Sequence, residues 1–205
     1  MPIIAVVGID GCGKTTQAKM LVSNLRSKGY DAEYVRPEFL LIELMKGSEE
    51  KGLSRLSPRK ARNRTTGGAN GRTSNAKKAV IGILGFFYAL TTYFAIAMQS
   101  NRKKIIVCDR YFLQFFYNLF GKRAELVIDL FPKADITFLL EGSLETLYSR
   151  MRDPSDKSTS TRYYTNVEEM FEEVSKKHGF IRVDANVNPD LIGKELLQRV
   201  ENAYS

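Results

Sequence analysis

The chain has 205 residues, of which 43% are hydrophobic and 26% charged, an ordinary composition for one globular domain with a substantial core. Its two cysteines do not suggest a disulfide framework, and their positions fit a reducing cytosol. The formal net charge of +8 predicts anionic ligands, but charge alone does not choose among nucleotides, nucleic acid and anionic membranes.

A phosphate-binding motif follows the first predicted strand. The apolar, β-branched run 3–7 is typical of a buried parallel strand, and residues 8–15 then read G-I-D-G-C-G-K-T. Glycines allow successive backbone N–H groups to converge on one phosphate, and Lys14 adds a positive charge. The Thr15 hydroxyl is the expected Mg²⁺ ligand. Apolar residues at helical spacing, ended by Gly29, predict a helix after this P-loop.

The second predicted strand, 32–35, ends at Arg36-Pro37, which places Arg36 at the edge where parallel sheets bind ligands. A helix is predicted over 40–46. The stretch 57–78 has no acidic residue, and its glycines predict a mobile loop. Its composition fits either a solvated loop or a segment that contacts phosphates, through Arg59, Lys60, Arg62, Arg64, Arg72, Lys77 and Lys78.

Residues 79–98 carry no charge and are long enough to cross a membrane. Glycines, threonines and a tyrosine dilute the apolarity, and the stretch lies between two elements that must share one active site. We therefore predict a buried central helix over about 80–101. No membrane partner is expected.

Strand 105–108 is followed at once by Asp109-Arg110-Tyr111. An acid at this edge can hold Mg²⁺ through water, and an arginine can clamp a phosphate. Downstream, the pattern predicts helix over most of 112–131, strands at 136–140 and 180–183, and helices that start near 144, after 163 and at 189. A mobile loop is predicted over 153–161, and His178 is interpreted as a helix cap.

These motifs resemble those of the thymidylate kinase family of P-loop nucleoside-monophosphate kinases. The resemblance rests on G-I-D-G-C-G-K-T-T-Q at 8–17, D-R-Y at 109–111, P-x-x-D-I-T-F-L at 132–139 and R-Y at 162–163. It implies an α/β P-loop NTPase fold in one domain, with a five-stranded parallel sheet flanked by helices. A lid is expected at about 150–164 and an irregular basic insertion at about 47–78.

The resemblance also implies site roles and an activity, the Mg²⁺-dependent transfer of the γ-phosphoryl group of ATP to deoxythymidine monophosphate (dTMP). Asp109 would be the metal-side acid with Thr15, and Arg110 the phosphate clamp. The acceptor would be bound by Asp10, Arg36, Phe87, Arg110 and Tyr111. ATP would be bound by Gly8, Asp10, Gly11, Cys12, Gly13, Lys14, Thr15, Thr16, Arg162, Ala185 and Asn186.

The P-loop offers no cation besides Lys14, so we predict that lid arginines, with Arg152 or Arg162 as the best candidates, stabilise the transferring phosphoryl group. Departures from the family leave alternatives open. Val7 replaces an acid, and Thr91 falls where an arginine is usual after the aromatic at Phe87. Another phosphoryl acceptor remains an alternative, as does a P-loop ATPase that binds nucleic acid through 57–78, although nucleic acid is the less favoured partner. A homodimer is compatible with the family.

Overall fold

The computed structural model describes residues 2–37, 75–99, 104–150 and 161–204. Its five strands form one parallel sheet in the order β2-β3-β1-β4-β5, which confirms the predicted five-stranded α/β architecture. Every strand boundary lies within one residue of its prediction. The strands are β1 (Ile3–Val7), β2 (Ala32–Val35), β3 (Ile105–Asp109), β4 (Ile136–Glu141) and β5 (Ile181–Asp184).

Helices flank this sheet. The described α-helices are α1 (Lys14–Ser27), α2 (Asn75–Gln99), α3 (Leu113–Phe120), α4 (Ala124–Leu130), α5 (Leu144–Arg150), α6 (Thr161–His178) and α7 (Pro189–Tyr204), and a 3₁₀ turn (Gly121–Arg123) joins α3 to α4. Residues 75–78, predicted as loop, belong to α2. The helix predicted over 40–46, residues 57–74 of the basic stretch and residues 153–160 of the loop predicted over 153–161 lie outside the described residues. Thr161, the last residue of that predicted loop, begins α6 instead.

The core is built around β1, whose five residues are all buried. A strand with both faces covered by helices needs a continuous apolar run, which explains the sequence Ile-Ile-Ala-Val-Val. Helix α1 buries its apolar stripe and packs against α7, where the absence of a side chain at Gly193 lets Met20 approach closely. Val6 of β1 is level with Asp109 of β3, so the two strands end together. This common edge positions the site.

Helix α2 is the main correction to the sequence interpretation, because only one side of it is buried. Ala89, Thr92 and Ile96 face the core, and the Phe86 ring packs on Phe131. The opposite side is exposed, up to 86% at Met98. Apolar residues surround the whole helix, so its composition could not indicate which side would be covered. In the described part of the chain, Val80–Met98 is the one helix long and apolar enough to cross a membrane.

Candidate active site

The P-loop connects β1 to α1 and contains three glycines in left-handed conformations, with φ of +142° at Gly8, +90° at Gly11 and +88° at Gly13. A Cβ built on Gly8 would lie 2.5 Å from the Leu140 carbonyl oxygen, and one on Gly11 would lie 2.5 Å from that of Leu147. Nothing lies within 4 Å of a Cβ built on Gly13, the N-cap of α1. The loop therefore wedges against β4 and α5 and leaves open space at the helix N-terminus, which fits a phosphate cradle.

The Lys14 ammonium folds over the loop itself. Its Nζ donates to the Ile9 carbonyl oxygen at 2.6 Å and lies 3.8 Å from Asp10 Oδ1. The Cys12 Sγ is also 3.8 Å from Nζ. Burial nevertheless raises the pKa of the Cys12 thiol, with the Lys14 charge as a smaller opposing influence. Cys12 is thus a buried packing residue of the loop, and Lys14 is the cation that phosphates would meet.

Asp109 and Thr15 come together at the end of β3. The Thr15 hydroxyl donates to Asp109 Oδ2 at 2.6 Å, although the two residues are 94 positions apart. Asp109 is fully buried, and its Oδ1 has no hydrogen-bond partner among the described residues. A buried carboxylate oxygen beside a hydroxyl is a suitable donor set for Mg²⁺, which prefers oxygen ligands. The residues present therefore fit the metal that the sequence implied.

Arg110 and Asp10 form the second connection between β3 and the P-loop. Arg110 adopts φ of +62°, uncommon for a residue with a side chain, and its backbone N–H donates to the Val6 carbonyl oxygen at 3.1 Å. This turn brings its Nη1 to 3.0 Å from Asp10 Oδ1. Asp10 is buried and lies between two cations, Arg110 and Lys14. Arg36 follows β2, the strand beside β3, and so lies at the same edge of the sheet.

A second group of residues surrounds the turn after β5, where the base of ATP was predicted to lie. The Ala185 N–H donates to the Glu141 carbonyl oxygen at 2.5 Å, and the Asn186 side chain accepts from the Ser143 N–H at 3.2 Å. Arg150, the last residue of α5, donates to the Ala185 carbonyl oxygen at 2.7 Å. The turn is thereby tied to the helix that leads into the predicted lid.

A cavity of about 190 Å³ borders Gly8 beneath α6. Its polar lining includes Glu141, Glu168 and Glu172, with Arg182 as the basic residue, and Arg182 is already paired with Glu141 at 2.8 Å. Burial, followed by the neighbouring carboxylates, raises the pKa of Glu168. A pocket with this excess of acid disfavours phosphate, which leaves the N-terminus of α1 as the better phosphate site.

Several residues predicted for the site pack into the core, are exposed to solvent, or lie outside the described residues. The Tyr111 hydroxyl donates to the Pro132 carbonyl oxygen at 2.8 Å, and its ring packs on Phe112 within the core. Phe87 lies on the exposed side of α2, and Thr16 is exposed. Arg162 is exposed in the first turn of α6, while Arg152 lies outside the described residues. The substrate and lid roles of these residues stay predictions.

His178 is the last residue of α6, as its interpretation as a cap requires. Its Nε2 lies 2.9 Å from Asp129 Oδ1, and Lys177 also pairs with Asp129. The hydrogen bond from Lys177 is the main reason that the pKa of Asp129 is lowered. The only histidine is therefore engaged in a contact between α6 and α4.

Comparisons with known proteins agree with this geometry. The chain is 27% identical over 192 residues to a probable thymidylate kinase of Sulfurisphaera tokodaii, covering 89% of this chain and 86% of the relative. It is 26% identical to a thymidylate kinase of Coprothermobacter proteolyticus, covering 97% and 98%. Both relatives carry the name thymidylate kinase, and this chain is similar to them over most of its length. No family model matches the sequence.

The fold agrees with that of the thymidylate kinase from Candida albicans, with a TM-score of 0.67 at 17% identity, over 99% of this chain and 92% of that one. The P-loop NTPase fold is thereby confirmed. Two departures from the thymidylate kinase pattern are visible in the structure. Val7 is a buried strand residue, and the Thr91 hydroxyl donates to the Tyr88 carbonyl oxygen of its own helix at 2.9 Å.

The sequence interpretation missed one residue at the site. Tyr34 of β2 donates its hydroxyl to Asp109 Oδ2 at 2.8 Å. An aromatic residue in a strand is ordinary, so no local signal distinguishes Tyr34 from a core residue. Only the pairing of β2 with β3 brings its hydroxyl to Asp109.

Proposed function

We propose that this protein transfers the γ-phosphoryl group of ATP to dTMP in the presence of Mg²⁺, giving dTDP and ADP. The observation that carries the proposal is the hydrogen bond from Thr15 to Asp109, which joins the P-loop to the end of β3. This contact supports the proposal because it brings a P-loop hydroxyl and the acid that ends β3 together, next to Arg110, at one edge of the sheet. The names of the two curated relatives support the same reaction.

The residues act mainly by alignment and by positive charge. Backbone N–H groups of the P-loop and the N-terminus of α1 would bind the ATP phosphates, with Lys14 moving from the Ile9 carbonyl oxygen to the phosphates. Arg110, and Arg36 at the neighbouring strand end, would hold the acceptor phosphate. Bound Mg²⁺, held by Thr15 and Asp109, would neutralise charge on the transferring phosphates. No general base is needed, because the acceptor oxygen already belongs to an anion.

Asp10 has a separate proposed role, at the acceptor's sugar. It is buried and paired with Arg110 at 3.0 Å, so the carboxylate is held in place before a substrate arrives. The same pairing would hold the Arg110 guanidinium between the P-loop and β3. Asp10 would therefore set the distance between the donor cradle and the acceptor clamp.

The lid and the turn after β5 would close over ATP. Ala185 and Asn186 would border the base, and Arg150 would connect that turn to α5 through its hydrogen bond to the Ala185 carbonyl oxygen. Arg152 and Arg162 are the proposed source of positive charge at the transferring group. The exposure of Arg162 leaves its guanidinium able to move toward a bound nucleotide.

The acceptor is tested by measuring ADP release with each nucleoside monophosphate and nucleoside in turn, with Lys14→Ala as the background. We expect the highest kcat/KM with dTMP. A higher kcat/KM with another nucleotide or nucleoside would replace dTMP as the acceptor while keeping the kinase assignment. ATP hydrolysis that needs no acceptor and is stimulated by single-stranded DNA would instead support the nucleic-acid alternative through residues 57–78.

A homodimer is proposed from the exposed side of α2. Its side chains recur at helical spacing and form one apolar face, composed of Val80, Ile81, Ile83, Leu84, Phe87, Phe94 and Met98. In a two-fold symmetric dimer, this face would pack against the same face of the second copy and be removed from water. Leu84→Glu should convert a dimer to a monomer in analytical ultracentrifugation, whereas Leu126→Glu, at an exposed leucine on α4, should not. A monomeric wild-type protein would contradict this assembly.

Phe87 belongs to this apolar face and is also the residue predicted to stack on the acceptor base. Phe87→Ala separates the two roles. A rise in the acceptor KM with an unchanged dimer supports stacking, and a monomer with an unchanged KM supports the interface. We further propose a cytoplasmic location, with α2 covered by protein instead of lipid. Purification without detergent as a monodisperse species would support it, and a requirement for detergent would contradict it.

A further inference from the structure

The carboxylate of Asp109 receives two hydroxyl groups on a single oxygen. Thr15 Oγ1 donates to Oδ2 at 2.6 Å and Tyr34 Oη donates to the same atom at 2.8 Å. The other oxygen, Oδ1, is buried and has no hydrogen-bond partner in the described part of the chain. The carboxylate is therefore held entirely from one side.

We propose that Tyr34 is a positioning residue that orients Asp109 so that Oδ1 is directed at the metal–nucleotide complex. This inference rests on the proposed function, since it assumes that Asp109 serves bound Mg²⁺·ATP. A single hydrogen bond leaves a carboxylate free to rotate about its Cβ–Cγ bond. Two donors from different elements, α1 and β2, restrict that rotation.

The strand register explains why the residue must be a tyrosine. Tyr34 is paired with Val107, and Asp109 lies two residues further along β3, on the same face of the sheet. Two residues of a strand span about 6.6 Å. A side chain on β2 must cross that distance with a hydroxyl at its tip, which Ser or Thr would be too short to do.

The surroundings of Tyr34 keep its hydroxyl a donor. An ionised carboxylate can only accept hydrogen bonds, so the Tyr34 phenol is the donor in its contact with Asp109. The Lys19 ammonium lies 5.5 Å from the centre of the ring, on the side of α1. This cation–π contact helps to hold the ring in place.

The second donor also leaves Thr15 available for two tasks. A threonine hydroxyl can donate its hydrogen to a carboxylate while its oxygen lone pair binds a cation. If Thr15 shifts toward Mg²⁺ when nucleotide binds, Tyr34 still anchors Oδ2. Tyr34 would therefore preserve the orientation of Asp109 if Thr15 turned toward a bound cation.

The test compares Tyr34→Phe with Tyr30→Phe, which removes the same hydroxyl from an exposed tyrosine four residues away. Calorimetry measures the Kd of ATP with saturating Mg²⁺ and with EDTA, without any acceptor. We expect Tyr34→Phe to lower the Mg²⁺-dependent gain in ATP affinity about tenfold, the lower end of the range for hydrogen bonds to charged groups. ATP affinity in EDTA and the acceptor KM should remain those of the wild type. Tyr30→Phe should leave the Mg²⁺-dependent gain, the ATP affinity in EDTA and the acceptor KM unchanged.

A merely structural role would lower the melting temperature of Tyr34→Phe and leave the Mg²⁺-dependent gain unchanged, and that result would overturn the inference. The double variant with Asp109→Asn provides a second measurement. If Tyr34 acts through Asp109, adding Tyr34→Phe to Asp109→Asn should alter the Mg²⁺-dependent gain less than twofold. A further tenfold loss would overturn the inference.

Failure of the proposed function is distinguishable from failure of this inference. If Mg²⁺ strengthens ATP binding but dTMP is not phosphorylated, the acceptor assignment fails and the role of Tyr34 can still be decided. If Mg²⁺ has no effect on ATP affinity in the wild-type protein, both are overturned.

Discussion

Gly11→Ala is the substitution whose cost can be worked out most directly from the structure. Gly11 adopts φ of +90°, and a Cβ there would lie 2.5 Å from the Leu147 carbonyl oxygen, well inside van der Waals contact. The left-handed conformation costs a residue with a Cβ about 1–2 kcal/mol. Displacing the Leu147 backbone adds an overpacking term of about 1–3 kcal/mol. Alanine also reduces the conformational entropy of the unfolded chain, which offsets about 0.4–1 kcal/mol of this destabilisation.

Gly29→Ala supplies a matched control. Gly29 has φ of +87°, almost the same as Gly11, but nothing lies within 4 Å of a Cβ built on it. The two variants therefore share the conformational cost and differ in the contact with α5. We expect Gly11→Ala to lower the free energy of unfolding by about 1–3 kcal/mol more than Gly29→Ala.

Urea unfolding at 25 °C, followed by far-UV circular dichroism, gives both free energies, provided that the m-values agree. Gly11→Ala should also weaken ATP binding, because α5 leads into the predicted lid, whereas Gly29→Ala should not. Equal destabilisation by the two substitutions, within about 0.5 kcal/mol, would refute the view that the P-loop is wedged against Leu147.

Three further predictions concern charge and burial. Lys14→Ala should lower kcat on the order of a hundredfold to a thousandfold. Its circular dichroism spectrum should remain that of the wild type, because Asp10 keeps its pairing with Arg110. Wild-type turnover in this variant would exclude the kinase assignment. Arg152→Ala or Arg162→Ala should lower kcat on the order of a thousandfold, whereas Arg150→Ala should mainly raise the KM of ATP. If kcat changes by less than about threefold in all three variants, the lid arginines have no catalytic role. Burial raises the pKa of the Cys12 thiol and raises that of Cys108 to about 12, so little of either residue is thiolate at pH 8. Iodoacetamide should therefore modify both cysteines in urea but neither in the folded protein, as measured by mass spectrometry. Rapid modification of Cys12 in the folded protein would contradict its burial.

The sequence by itself determined the elements whose signals are local. The run 3–7, the glycine spacing of the P-loop and the apolar stripe of α1 are contiguous, and the structure reproduces all three. Asp109-Arg110 was recognisable because it directly follows a buried strand. In a parallel sheet, strand ends share one edge, so sequence order alone placed these residues near the P-loop.

Tertiary structure alone decided the contacts between those elements. The left-handed turn at Arg110 that brings it to Asp10, and the Tyr34 hydroxyl on Asp109, depend on strand pairing across the sheet. It also decided which side of α2 is exposed, a question that the sequence leaves open because apolar residues occur on every side of this helix. Hydrophobic patterns report how much surface a segment can bury, but the partner that covers a given face is chosen by distant parts of the chain.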